Sequence, residues 1–387
     1  MKALIVGAGI AGLATSKFLS DIGWDVTIVE KAHGPRTSGY MIDFAGSGYD
    51  AVERAGLLPL FQARHHNVEA VEYVDETGKT RSLIDYNLTR ESMNGRLLAL
   101  LRGDIEAILL EAQPKGADIR YATSVKEIVQ HEDHVEAMLT DGSRMQADLL
   151  VGADGIHSHV RDLIFGPEEK YLRYLGYHVS AFMFDDDRIA ADLDGGFKIL
   201  TVPNRQFAIY ALDDGRLASL DAHTDASRER PRDPAKKMRE VYGDLGWYLP
   251  RVLDHADRCD DIYYDFIAQV EMDHWHEGRV LLLGDSAYAV SLLAGQGASM
   301  AIGGAWVLAH LLENANVPEA LDAFEARMRA DVLKKQAAGR KTANWFVPPN
   351  EFQNVVRDLF LNATRLPGLK GLLRNFFAPS LKSVVRE

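Results

Sequence analysis

The stretch KALIVGAGIAGLATSKFLSDIGWDVTIVE, residues 2–30, decides the fold. Lys2 to Val6 is a short apolar run, β-branched at its end, and reads as a buried strand. Gly7-Ala8-Gly9-Ile10-Ala11-Gly12 follows directly and fits the pattern G-x-G-x-x-G. Ile10 to Ile22 then has helical spacing, with Leu13, Ala14, Phe18 and Leu19 on one face. Gly23 stands where a helix-terminating glycine belongs. Val26 to Val29 reads as a second strand, ending on Glu30. Strand, glycine turn, helix and strand make one β-α-β unit.

Each glycine has a separate task in such a unit. Gly7 allows the tight turn, Gly9 lets the backbone approach a pyrophosphate, and Gly12 lets helix and strand pack closely. The free N–H groups and partial positive charge of the helix N-terminus suit phosphates. Glu30, eighteen residues beyond Gly12, can accept hydrogen bonds from a ribose diol. Ile10, Ala11 and Lys31 complete this candidate cofactor-binding set. The loop predicts a dinucleotide and by itself does not separate FAD from NAD.

Composition narrows the class further. The chain has 387 residues, a length suited to two domains or to one large domain with an insertion. Its 47% hydrophobic content supports an ordinary buried core. A net charge of -13 disfavours a nucleic-acid partner, because such affinity comes mainly from neutralising phosphates. Cys259 is the single cysteine, so an intramolecular disulfide and a redox thiol pair are both excluded. Electrons must therefore pass through a cofactor. No apolar run is long enough to span a membrane and no signal peptide is visible, so the expected location is the cytoplasm. The histidines lack H-x-x-x-H and H-E-x-x-H spacing, and no metal is expected.

The rest of the chain alternates between two characters. Residues 68 to 84 read as two strands around Glu76-Thr77-Gly78, and Arg102 to Ala112 as a helix. Residues 118 to 151 read as a three-stranded meander with a tight turn at Thr140-Asp141-Gly142-Ser143. Its last strand, Asp148 to Val151, leads into Gly152-Ala153-Asp154-Gly155. Between 170 and 270 come short β-like runs: Val179 to Phe184, Phe197 to Val202, Phe207 to Leu212 and Leu217 to Ala222. From Arg279 the first pattern returns, with a strand at Val280 to Leu283 and a helix reaching Leu312. The tail after Pro348-Pro349 is expected to be helical. The basic, leucine-rich run Arg365 to Glu387 is expected to pack across the two domains with its charged face in water; the alternative is a basic amphipathic helix lying on a membrane surface. The fold class is thus α/β: a Rossmann-like nucleotide-binding domain (1–70, 95–168 and 268–343) with an inserted antiparallel-sheet substrate domain (71–94 and 169–267) and a C-terminal helical segment (344–387).

Two further segments carry chemistry. In Ala153-Asp154-Gly155-Ile156-His157-Ser158-His159-Val160-Arg161, Gly155 permits a sharp turn and Asp154 can cap the amides that follow. Arg161 can face phosphates or hold Asp154, while His157 and His159 read as turn residues. In Gly284-Asp285-Ser286-Ala287-Tyr288, Asp285 stands at a strand end. Gly295-Gln296-Gly297-Ala298 leads into the next helix, whose N-terminus favours negative charge.

With the first loop, these motifs resemble those of the class A flavoprotein monooxygenases that share the para-hydroxybenzoate hydroxylase fold. They occur in the family's order over positions 7 to 312, and the tetracycline-inactivating monooxygenases look like the nearest branch. The resemblance implies FAD, with Asp285 toward its ribityl hydroxyls and the Gly295–Ala298 helix start toward the flavin. It implies that Arg102 lies against FAD and that Arg36 lies in the loop crossing the flavin ring. It implies NAD(P)H as co-substrate and hydroxylation of an aromatic or polyketide-like molecule by oxygen through a flavin C4a-hydroperoxide. Such chemistry needs no catalytic triad or metal, since the cofactor carries the hard step. No catalytic base is identified. Phe182, Phe197, Tyr210 and Arg216 are candidate substrate-lining residues, with Leu292 and Leu293 from the flavin side. The chain departs from the family at Tyr288, where His is common, at Leu292, where Pro is usual, and at Gly303-Gly304, where an acidic pair is frequent. The Leu292 departure keeps open a FAD-dependent reductase or dehydrogenase on the same scaffold. A non-enzymatic FAD-stabilised binding protein is a third, weaker reading. The oligomeric state expected is monomer or dimer.

Overall fold

The computed structural model describes residues 1–35, 39–291, 295–365 and 383–386. The leading β-α-β unit consists of strand Lys2–Val6, helix Ile10–Asp21 and strand Asp25–Val29. The two strands run parallel, from Lys2 opposite Asp25 to Val6 opposite Val29. Ala3 to Val6 are all buried, and the helix turns Leu13, Ala14, Phe18 and Leu19 into the same core. A strand buried on both faces has no polar side to alternate with, hence its continuous apolar run.

Four more strands complete a six-stranded sheet. Leu149–Gly152 lies parallel to the first strand on its other side, and Val280–Leu282 lies parallel beyond it. Asp118–Arg120 adds to Asp25–Val29, and His276–Glu277 forms the antiparallel edge. The meander expected over 118–151 is smaller than its sequence suggested. Val125–Gln130, Val135–Leu139 and Arg144–Ala147 form a separate three-stranded sheet. The segment at Leu149–Gly152 instead enters the centre of the parallel sheet. Four consecutive buried residues there demand cover on both faces, which a solvated meander cannot give.

The second large sheet has seven strands, in the order Tyr263–Val270, Leu172–Phe184, Leu217–Thr224, Arg205–Ala211, Phe197–Val202, Ala70–Val74 and Thr80–Asp85. All neighbours are antiparallel except Phe197–Val202 with Ala70–Val74. One face is covered by helices Asp187–Leu193, Pro234–Tyr242 and Leu249–Ala256, which bury Phe182, Phe184, Phe207 and Ile209. The other face presents Tyr210, Ala218 and Phe197 toward Met41 and Leu101, on the paired strands Met41–Ala45 and Leu97–Leu101.

A thirty-residue helix, Val317–Phe346, ties the two sheets together. It places Phe324, Met328 and Val332 in the first core and Ala343 against Tyr177, Val179 and Ile267 of the second sheet. Helix Glu351–Thr364 follows the Pro348-Pro349 break. Most of the basic terminal run lies outside the described residues. Its last part is docked, with Val384 and Val385 buried, Arg327 bonded to the Val384 carbonyl and Arg386 paired to Asp50.

Candidate active site

The three glycine-containing segments, separated by over a hundred residues in sequence, meet at one edge of the parallel sheet. The glycine loop packs directly on the second segment: a Cβ at Gly7 would lie 2.5 Å from the Ala153 carbonyl oxygen. At Gly12 a Cβ would lie 1.8 Å from the Gly7 carbonyl oxygen, so only glycine closes the helix onto the turn. Gly9 caps the helix N-terminus and faces Glu106. Ile10 is buried behind the loop, whereas Lys31 is exposed beside it. Glu30 receives the Ala8 amide on Oε2 and the Ala32 amide on Oε1, each at 2.8 Å. Each oxygen keeps a second lone pair, so the carboxylate fixes the loop and retains capacity for a further donor.

The second segment is a capped turn. Asp154 accepts from Ser158 Oγ at 2.5 Å, the His159 amide at 2.7 Å and the Val160 amide at 3.1 Å. Burial raises its pKa, opposed by these same bonds. Gly155 has φ +84, the left-handed conformation the turn requires. Arg161 does not reach Asp154. Its guanidinium is fully buried and donates to the carbonyls of Ser286 at 3.0 Å and Ile156 at 2.7 Å. Glu168 stands 3.4 Å away. Burial lowers the Arg161 pKa. Its role in the structure is to bolt the second segment to the third.

The third segment carries a single open position. From Val280 to Ser291 every residue is buried except Asp285, which is exposed. Asp285 is the one carboxylate that this buried run leaves open. Gly284, at φ +72, turns the chain beside Ala11 of the first loop. Gly297 begins helix Gly297–Leu312 with a Cβ position 3.6 Å from Asp285 Oδ1. Gly295 has φ +60, while Gln296 and Ala298 are buried at the helix start. Surrounding protein raises the Asp285 pKa, and the charge of Arg102 opposes the rise. Arg102 opens helix Arg102–Glu111, pairs with Glu106 at 2.7 Å, and senses both Tyr40 and Asp285.

This cleft has the features a dinucleotide needs. Amides at two helix starts, an anchored carboxylate at Glu30, a cation at Arg102 and an open acceptor at Asp285 line one edge. Gly7 and Gly12 leave room for nothing but backbone there.

Two tyrosines missed by motif reading belong to the same cleft. Tyr40 and Tyr263 bring their rings to a centroid separation of 5.9 Å. Burial pushes the Tyr40 hydroxyl up to about 12; Arg102 lowers it, and Asp285, Glu106 and Asp265 raise it. Their segments are remote, and only Tyr40's place beside Gly39 hinted at a role. His157 also does more than turn the chain: its ring bridges Glu168 at 2.9 Å and Asp265 at 3.1 Å, and its pKa is raised by Asp265 first.

Among the substrate candidates the sheet separates two groups. Phe197 and Tyr210 pack with tilted rings, centroids 4.6 Å apart, on the face toward Met41, and the Tyr210 hydroxyl accepts the Met41 amide at 2.9 Å. These two also line a pocket with His66, Gly196 and Leu212. Phe182 does not join them. Its register partner Ser219 pairs in turn with Ile209, so it shares the helix-covered face. It is 2% exposed there, against Phe184. Arg216 is an exposed turn residue held by Asp214 at 2.7 Å, away from any apolar wall. Both are corrections to the expected lining. Arg36, Leu292 and Leu293 lie outside the described residues.

Two departures from the resembled family form one packing solution. Tyr288 is buried against Trp275, and its hydroxyl stands 2.4 Å from where a Cβ of Gly304 would be. The large residue at 288 thus requires the absent side chain at 304. Gly303 likewise admits Ser47, with a Cβ position 2.6 Å from that of Ser47.

Residues 1–337 match the FAD binding domain family, and the chain belongs to it. It is an FAD-dependent monooxygenase. A flavin-dependent monooxygenase from an unidentified prokaryote is 31% identical over 323 residues, covering 81% of this chain and 82% of its own length. Another from Legionella longbeachae is 28% identical over 92% of each chain. Among solved structures, tetracycline destructase Tet(55) superposes with TM-score 0.82 at 26% identity, over 99% of this chain and 98% of its own. Klebsiella pneumoniae HpxO, solved with FAD and uric acid, has the same fold at TM-score 0.81 and 20% identity, over 98% of this chain and 97% of its own. No helix among the described residues is long and apolar enough to cross a membrane.

Proposed function

We propose that this monooxygenase hydroxylates an aromatic or polyketide-like small molecule, drawing electrons from NAD(P)H. The balance is substrate C–H, O2, NAD(P)H and a proton giving substrate C–OH, water and NAD(P)+. The observation that carries this reading is the joint position of Asp285, Arg102 and Tyr40 at the edge where the three glycine segments meet, next to the apolar sheet face of Phe197 and Tyr210. When bound, FAD supplies the redox chemistry and oxygen activation.

The chain's own residues then have defined tasks. Gly7, Gly9, Ile10, Ala11 and Gly12 present amides to the pyrophosphate, with Glu30 and Lys31 at the adenosine end. Asp285 would accept hydrogen bonds from the ribityl chain and Arg102 would stand against the flavin, a part that the family resemblance also assigns to Arg36. Asp154, Gly155 and Arg161 act indirectly by holding the cofactor loops in place. Gly295, Gln296, Gly297 and Ala298 would hold the flavin at a helix N-terminus, whose partial positive charge suits the negative charge developed on reduction. Phe197 and Tyr210 would form the apolar wall for a planar substrate, and we assign Leu292 and Leu293 to it from the sequence alone. We place the domain boundaries at the residues given above and the protein in the cytoplasm.

The test is turnover under isotopically labelled oxygen with NADH or NADPH and a panel of phenols and polycyclic polyketides. One labelled oxygen atom in the product supports the reading. Oxidation of NAD(P)H with reduction or dehydrogenation of the organic molecule, and no label in it, would replace it by the reductase or dehydrogenase reading.

A further inference from the structure

On the helix-covered face of the seven-stranded sheet, His178 and His223 stand opposite each other on neighbouring strands. They are 1% and 2% exposed. Asp225 follows just past the strand that ends at Thr224. His178 Nε2 lies 2.7 Å from the Ser227 carbonyl oxygen. A carbonyl only accepts, so Nε2 carries the proton and Nδ1 presents a lone pair. That Nδ1 is buried and has no hydrogen-bond partner among the described residues. Among the described residues the hydrogen-bond contacts of His223 are long, Nδ1 to the Tyr242 hydroxyl at 3.4 Å and Nε2 to the Tyr264 hydroxyl at 3.3 Å. Asp225 receives the Ser227 amide at 2.9 Å and pairs with Lys237 at 2.8 Å. One ligand atom from each of His178, His223 and Asp225 lies within 4.8 Å of the other two.

We propose that His178, His223 and Asp225 bind a divalent cation of the zinc class, with water completing the shell. Two imidazole nitrogens and one carboxylate oxygen are the donors such ions select. An imidazole fixed through its far nitrogen by a carbonyl is the outer arrangement that orients metal-binding histidines. The ion ties residues 225–227 to the sheet. Lys237 competes with it, since its ammonium holds the same carboxylate.

The test uses the full-length, FAD-loaded protein, stripped with chelator and titrated with zinc against a chromophoric competitor, with cobalt as the optical probe. One zinc per chain is expected. His178→Gln and Asp225→Asn should each weaken binding beyond the roughly 10–100-fold cost of losing an outer hydrogen bond. Asp225 lies at the strand end rather than in the sheet, so its variant keeps the test open if His178→Gln fails to fold. Lys237→Met should tighten binding, a result that a merely structural network does not produce. The other histidine group, His131, His134 and Glu136 on a hairpin, serves as control, and His134→Gln should change nothing. Absence of stoichiometric zinc in the parent protein, unchanged affinity in Asp225→Asn, no gain in Lys237→Met, or loss of zinc in His134→Gln would each overturn the proposal.

Discussion

Replacing Arg161 by Met keeps most of the side-chain volume and removes the fork that joins the second and third segments. In the structure that fork serves two carbonyls, the buried one of Ser286 at 3.0 Å and the part-buried one of Ile156 at 2.7 Å. A hydrogen bond from a charged donor contributes about 1.5–3 kcal/mol, so two amount to roughly 3–6 kcal/mol. Burying the guanidinium costs free energy, as its lowered pKa indicates, and Met removes that cost. The net loss expected is about 3 kcal/mol of stability. Urea unfolding of flavin-stripped protein measures it, and a flavin titration should show weaker FAD binding because the Asp285 segment loses its anchor. Arg161→Lys should recover only part of either loss, because an ammonium cannot span both carbonyls in the same plane. A stripped Arg161→Met protein within about 0.5 kcal/mol of the parent would refute the reasoning, since that is the scatter of a neutral surface change.

Three further outcomes are expected. Gly304→Ala should destabilise by about 1–3 kcal/mol through overpacking, and adding Tyr288→Phe should restore much of the loss; thermal melts of both variants decide whether the two positions are coupled. Asp285→Ala should weaken FAD by about tenfold to a hundredfold, the equivalent of one charge-assisted hydrogen bond, and unchanged affinity in a flavin titration would remove Asp285 from the cofactor site. His157 has a raised pKa between Asp265 and Glu168, so its stabilisation is complete below the unfolded value near 6.5 and is lost as pH rises through the folded value. His157→Gln should therefore narrow the stability difference between mildly acid and mildly alkaline buffer, and an unaltered pH profile of urea midpoints would exclude the bridge.

The sequence by itself determined the β-α-β unit, the three glycine segments and the antiparallel character of residues 170–270. Those features are legible because their demands are local. Gly12 is dictated by a carbonyl five residues back, and Gly155 and Gly142 by turns of four residues. Buried strands announce themselves as apolar runs. What only the tertiary structure decided depends on which segments meet. Leu149–Gly152 has the composition of either a meander strand or a parallel core strand, and its neighbours chose the latter. Arg161 finds the Ser286 carbonyl, and Tyr40 finds Tyr263, across separations no periodicity encodes. Tyr288 and Gly304 look like unrelated departures until the helix brings them into contact. Phe182 and its neighbour Met183 point to opposite faces of one strand, because side chains alternate with a period of two. Which of them faces the cleft follows from the register with Leu217–Thr224, and register is set by pairing in three dimensions, not by the strand's own residues.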